Sequence, residues 1–154
     1  MIIGVLKEIK AGENRIALTP AGARSLKIDG HQVLIETDGG IGSGLTNDEY
    51  AREGAEICTV DDIYNRAELI VKVKEPLEEE WPCYREGQIL FTYLHLASSE
   101  ALTRWLLERK IVGVAYETVE ENDGSLPLLI PMSEVAGRMS IQLAARFLEK
   151  QHGG

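Results

Sequence analysis

Three short runs, Leu69–Val73, Ile89–Tyr93 and Ile111–Ala115, constrain the fold of this chain more than any other feature. Each is mostly apolar and rich in β-branched or aromatic residues, as expected of strands buried within a parallel sheet. Parallel strands need crossover connections, usually helical. Signals for those helices lie between the runs. Thr19-Pro20 supplies an N-cap and an N1 proline for a helix that Gly30 closes. Thr46-Asn47-Asp48-Glu49 is a capping box, Thr59 caps a third helix, and Ser98 or Ser99 caps a fourth running to Lys110. Ile2–Leu6, Val33–Glu36 and a weaker run at Ala55–Cys58 complete the strands. The alternation predicts an α/β fold: a Rossmann-like three-layer αβα domain with a mainly parallel sheet.

Residues 117–131 read as a loop, with a turn at Asn122-Asp123-Gly124 and breakers at Pro127 and Pro131. From Ser133 the pattern turns helical for about twenty residues, with Val135, Met139, Leu143 and Phe147 on one apolar stripe. The expected organisation is a substrate or catalytic domain over 1–132 and a long connecting helix over 133–154.

Two of the buried runs end on chemistry. Val71-Lys72-Val73-Lys74-Glu75-Pro76 and Phe91-Thr92-Tyr93-Leu94-His95-Leu96-Ala97 leave their strands on a cation and an imidazole. In open α/β sheets ligands sit at such strand ends. Lys72 and Lys74, two apart, share one face of an extended chain. They read as a surface pair or as a cation carried toward an anion, since Pro76 forces the chain out of the ladder. His95 reads as a core histidine or as a proton carrier that changes charge near neutral pH. Arg15, in the loop after the first strand, reads as solvated or as the bidentate ligand of a carboxylate. Taken together, the three fit a small anionic organic acid. Gly39-Gly40-Ile41-Gly42-Ser43-Gly44 lacks the G-x-G-x-x-G spacing of a dinucleotide loop and is expected to be a flexible surface loop. Glu78-Glu79-Glu80 is expected to be a solvated helical face, and no metal site is expected.

The net charge of −9 argues against nucleic acid or an anionic membrane as partner. No apolar stretch approaches the ~20 residues that cross a bilayer. The amino terminus has no basic segment ahead of its apolar run, so no signal peptide is expected. Cys58 and Cys83 lack metal-ligand spacing and are too few for a disulfide framework, which fits reduced thiols in a cytoplasmic protein.

The motifs Gly4-Val5-Leu6-Lys7-Glu8-Ile9-Lys10, Asn14-Arg15-Ile16-Ala17-Leu18-Thr19-Pro20, Val71–Pro76, Thr92–Ala97, Ala115-Tyr116-Glu117-Thr118 and Pro131–Arg138 stand in order along the chain. In this the sequence resembles the amino-terminal half of the alanine dehydrogenases, which interconvert L-alanine with pyruvate and ammonia using NAD. By position, the resemblance implies that Arg15 and Lys74 hold the substrate's carboxylate and its carbonyl or amino end. It implies that His95 is the catalytic acid/base, that Tyr93 and Met132 line the substrate pocket, and that Ser133 touches the dinucleotide. It further implies hydride transfer to the nicotinamide, a homo-oligomer, and contacts made by the helix from Ser133. Members of that family carry a second, glycine-rich half that binds most of the NAD. The present chain is therefore expected to be an excised, proteolysed or gene-truncated portion, inactive alone. Two other readings stay open: a non-catalytic ligand-binding or assembly module of the same fold, and the amino-terminal domain of a transhydrogenase alpha subunit. Tyr93-Leu94-His95-Leu96 disfavours the latter.

Overall fold

Strand β1 (Ile2–Val5) pairs in parallel with β2 (Gln32–Glu36) on one side and with β4 (Leu69–Val71) on the other. With β3 (Glu56–Cys58), β5 (Ile89–Thr92) and β6 (Val112–Ala115), they form one sheet in the order β3-β2-β1-β4-β5-β6, with every pair parallel. The computed structural model describes residues 1–154.

The crossovers are α1 (Pro20–Ile28), α2 (Asn47–Arg52), α3 (Val60–Arg66) and α4 (Glu100–Glu108). Their starts follow the sequence signals. The Thr19 side chain accepts from Gly22 N, Thr46 and Thr59 make capping boxes with Glu49 and Asp62, and Ser99 accepts from Leu102 N. One core joins Val5, Val33 and Ile35 of the sheet to Ala23 of α1 and Tyr50 of α2. The opposite face joins Leu34, Ile70 and Leu90 to Ile63 of α3 and to Leu102, Trp105 and Leu106 of α4. Helices thus cover both faces, as the alternation requires. Gly4 lets α3 approach β1: a Cβ there would lie 2.5 Å from Ile63 Cγ2.

The chain forms two compact units, Met1–Ala115 and Tyr116–Gly154. The second contains a 3₁₀ turn at Tyr116–Thr118, a turn around Gly124 and the 18-residue helix α5 (Ile130–Phe147). That helix begins three residues before the expected Ser133. Pro131 does not break it but sits in its first turn, where its missing N–H costs no intrahelical bond.

Three local expectations need correction. The fourth strand stops at Val71, not Val73, because the Glu8 carboxylate takes the amide of Val73 at 2.6 Å. The glycine-rich segment is a surface loop only over Ile41–Gly44, and that part is ordered. Gly39 and Gly40 are buried, Ile41–Ser43 is a 3₁₀ turn, and Ser43 Oγ donates to Asn14 O at 2.9 Å. Of the Glu78–Glu80 run, Glu80 is not solvated. It is 8% exposed, and it accepts from Leu77 N and pairs with Lys72.

Candidate functional site

The carboxyl ends of β1, β4 and β5, three neighbours in the sheet, release the loops bearing Arg15, Lys74 and His95. Adjacent strands are about 4.8 Å apart, so these loops crowd one stretch of the sheet edge. The order of the strands reverses between β1 and β4, the position at which doubly wound sheets open a crevice.

That crevice is closed from within. Glu8, two residues beyond Leu6, turns its carboxylate onto the backbone of the next strand's exit, accepting from Val73 N at 2.6 Å and from Lys74 N at 3.3 Å. Lys72 is fully buried beside it, 3.9 Å from Glu8 Oε2 and ion-paired with Glu80, which also accepts from Tyr64 Oη at 3.3 Å. Burial pushes the Glu8 carboxyl above its ordinary value, with the Lys72 ammonium opposing the shift. A dinucleotide phosphate needs free amides and glycine at this point. Here Lys7 and Glu8 stand at the β1 exit where such glycines would be, and the Glu8 carboxylate takes two amides of the β4 exit.

The rim of the same crevice is open and cationic. Arg15 and Lys74 are partly exposed, and the His95 side chain is 45% exposed. Glu75, in the β4 exit, stitches the three loops together: it is ion-paired with Lys10 from the β1 exit, and its Oε2 lies 3.1 Å from His95 Nδ1. Burial raises the Glu75 pKa. The hydrogen bonds, from Lys10 first and also from His95, outweigh burial and hold the carboxyl below its ordinary value. With Glu75 accepting at Nδ1–H, the proton-accepting nitrogen of neutral His95 is Nε2. Tyr93, 7% exposed, stacks on the imidazole with ring centroids 5.8 Å apart and an interplanar angle of 18°. His95 itself has φ 49° and ψ 39°, a left-handed conformation that a non-glycine residue holds at an energetic cost. Strain of this kind clusters at working sites.

Arg15 is engaged by its near neighbour. Its Nε and Nη2 donate to Glu13 Oε1 and Oε2 at 2.7 and 2.5 Å, and its backbone N donates to Oε1 at 3.0 Å. The Arg15 hydrogen bonds pull the Glu13 carboxyl down to about 2, with Lys74 adding to the effect. Gly42 makes room for this loop, since a Cβ there would lie 2.8 Å from Asn14 O.

The sequence reading placed Arg15, Lys74, His95 and Tyr93 at strand ends, and all four lie along one edge of the first unit. Met132 and Ser133 lie in the first turn of α5, in the second unit. Lys72, offered as Lys74's companion, belongs instead to the buried cluster. Missed altogether were Glu8, Lys10, Glu13 and Glu75. Nothing in their local pattern separates them from solvated charges, although Glu75 next to Lys74 shares its strand end.

A family model described as the alanine dehydrogenase/PNT N-terminal domain matches residues 4–136. The chain belongs to this family. An alanine dehydrogenase of Methanococcus maripaludis is 59% identical over 155 residues, covering all of this chain and 42% of the relative. An alanine dehydrogenase of Geobacillus stearothermophilus is 57% identical over 156 residues, with the same coverage. The chain thus spans about 42% of the length of these curated relatives. Among solved structures, an L-alanine dehydrogenase superposes with a TM-score of 0.93 at 50% identity, covering 100% of this chain and 43% of the other. A transhydrogenase from Sinorhizobium meliloti gives 0.72 at 27% identity, covering 76% and 35%.

Proposed function

We propose that this chain supplies the substrate-binding half of an alanine dehydrogenase, the NAD-dependent enzyme that converts L-alanine and water to pyruvate and ammonia. The observation that carries this reading is the delivery of Arg15, Lys74 and His95 from three adjacent strand ends onto one open rim. Arg15 holds the substrate carboxylate through its planar fork. Lys74 hydrogen-bonds the carbonyl oxygen of pyruvate or its equivalent on the path to alanine. His95 exchanges a proton at Nε2 while Glu75 fixes Nδ1–H. Tyr93 lines the pocket. Ser133 contributes a contact to NAD, which is held mainly by sequence outside this chain.

The higher identity to alanine dehydrogenases than to the transhydrogenase supports this reading over the alternative. The retained trio supports it over a non-catalytic module. A homo-oligomer is favoured by the exposed apolar side chains of Val135, Met139, Leu143 and Phe147 on α5. A reducing, cytoplasmic setting suits the two free cysteines. No helix is long and apolar enough to cross a membrane.

The test of the substrate reading is calorimetric titration of pyruvate into this chain and into Lys74→Ala. Saturable binding that the substitution abolishes supports the assignment. Equal binding by both removes Lys74 from the site.

A further inference from the structure

The Arg15 fork already holds a carboxylate. Glu13 engages Nε and Nη2 through both of its oxygens, the arrangement that a carboxylic acid ligand would itself adopt. We propose that Glu13 is an internal stand-in for the substrate carboxylate, so that a carboxylate ligand binds this site by exchange, displacing Glu13 from Arg15. The proposal rests on the substrate reading above and deepens it by naming a residue that sets affinity and selectivity.

Four observations support it. The two residues are separated by a single position, so the pair needs no distant element to form. Their pairing is also locked by the backbone, since Arg15 N donates to the same Oε1 that accepts from Nε. The Glu13 side chain is only 10% exposed although it lies at a turn, while that of Arg15 is 41% exposed. The carboxylate is thus tucked under a guanidinium that still faces outward. Finally, the loop does not have to move for the exchange. Asn14, between the two, is pinned by Ser43 Oγ at 2.9 Å and backed by Gly42. Rotation of the Glu13 side chain vacates Nε and Nη2, and the displaced carboxylate has a second cation at hand, because Lys74 already acts on it electrostatically.

The exchange has a consequence for selectivity. A spherical anion or a monodentate acceptor replaces only part of what Glu13 gives Arg15, and so it loses the competition. A planar carboxylate restores both bonds. Binding is weakened by the fraction of time the fork is occupied. If Glu13 holds it nine-tenths of the time, removing the charge tightens carboxylate binding about tenfold.

The experiment titrates pyruvate, and separately acetate, into the wild-type chain, Glu13→Gln and Arg15→Ala. The carbon-13 signal of the Glu13 carboxylate is followed alongside by NMR. The glutamine variant keeps the size and the local hydrogen-bonding shape of the loop. Binding about tenfold tighter in Glu13→Gln, with a Glu13 carboxylate signal that shifts on ligand addition to wild type, supports the exchange. Binding that depends on Arg15 but is equal in wild type and Glu13→Gln, with a Glu13 signal that does not move, overturns the exchange and leaves the substrate reading standing. Acetate binding with the Glu13 dependence, and none by pyruvate, keeps the exchange and removes pyruvate as the substrate. Absence of binding to wild type and Glu13→Gln alike overturns both.

Discussion

Lys72 and Lys74 leave the same strand two residues apart and come to rest in opposite circumstances. Lys72 is sealed inside the crevice between β1 and β4, with Glu80 and Glu8 to balance it. Lys74 stands on the rim, where it takes part in neither of the nearby lysine ion pairs, those of Lys10 and Lys72. The buried lysine holds the strand exits together. The rim lysine is the one that the proposed function assigns to a ligand.

Three substitutions would break or sharpen that contrast. Lys72→Met leaves Glu80 and Glu8 buried without their cation and is expected to cost about 3–5 kcal/mol, read as a lowered midpoint in chemical denaturation. A loss below 1 kcal/mol would show that the interior pair is replaceable and would erase the distinction. Lys74→Ala is expected to change stability by no more than about 0.5 kcal/mol. It should instead weaken pyruvate binding about thirtyfold, near 2 kcal/mol, as for loss of a charge-assisted hydrogen bond. Gly42→Ala pushes a methyl against Asn14 O and should cost about 1 kcal/mol while also weakening pyruvate binding, because Arg15 moves with its neighbour.

The smallest effect is a pH dependence. The Glu13 carboxyl sits at about 2 in the folded chain against an ordinary 4.5. Its contribution to stability is therefore present above pH 4.5 and lost as pH falls from 4.5 toward 2. The pair is screened by solvent, so the loss is about 1 kcal/mol or less. Glu8 acts in the opposite sense: its raised pKa means that its ionisation weakens the fold as pH climbs past the ordinary carboxylate value. Subtracting the stability curve of Glu13→Gln from that of wild type cancels Glu8. The difference should rise between pH 2 and 4.5 and stay flat above; a flat difference throughout would deny the Glu13–Arg15 pair any weight in folding.

Much of the architecture was legible because its signals are local. Thr19-Pro20, Thr46 with Glu49 and Thr59 each announce a helix start within four residues, and the apolar runs announce covered strands. The rim residues were legible by a longer inference, from strand ends to a shared edge. Glu8, Glu13, Glu75 and Glu80 were hidden for a physical reason. A glutamate bound for burial looks like any solvated one until its cation is known, and the partners of Glu8 and Glu75 lie about 65 positions away. The packed glycine segment was misread for a similar reason. Gly42 answers to Asn14, and Gly40 to Tyr50 as well as to its own turn.

The seam between β1 and β4 also has a bearing on when the site can exist. Strands β2 and β3 gather on β1 to one side, and β5 and β6 gather on β4 to the other. Arg15 belongs to the first group, Lys74 and His95 to the second, and the joint between Glu8 and Lys74 closes a span of 66 residues. Closing so long a span carries a large entropic cost early in folding, so contacts of this kind form late. Neither half brings Arg15, Lys74 and His95 together on its own, and a chain emerging from synthesis lines them up only when β1 and β4 pair.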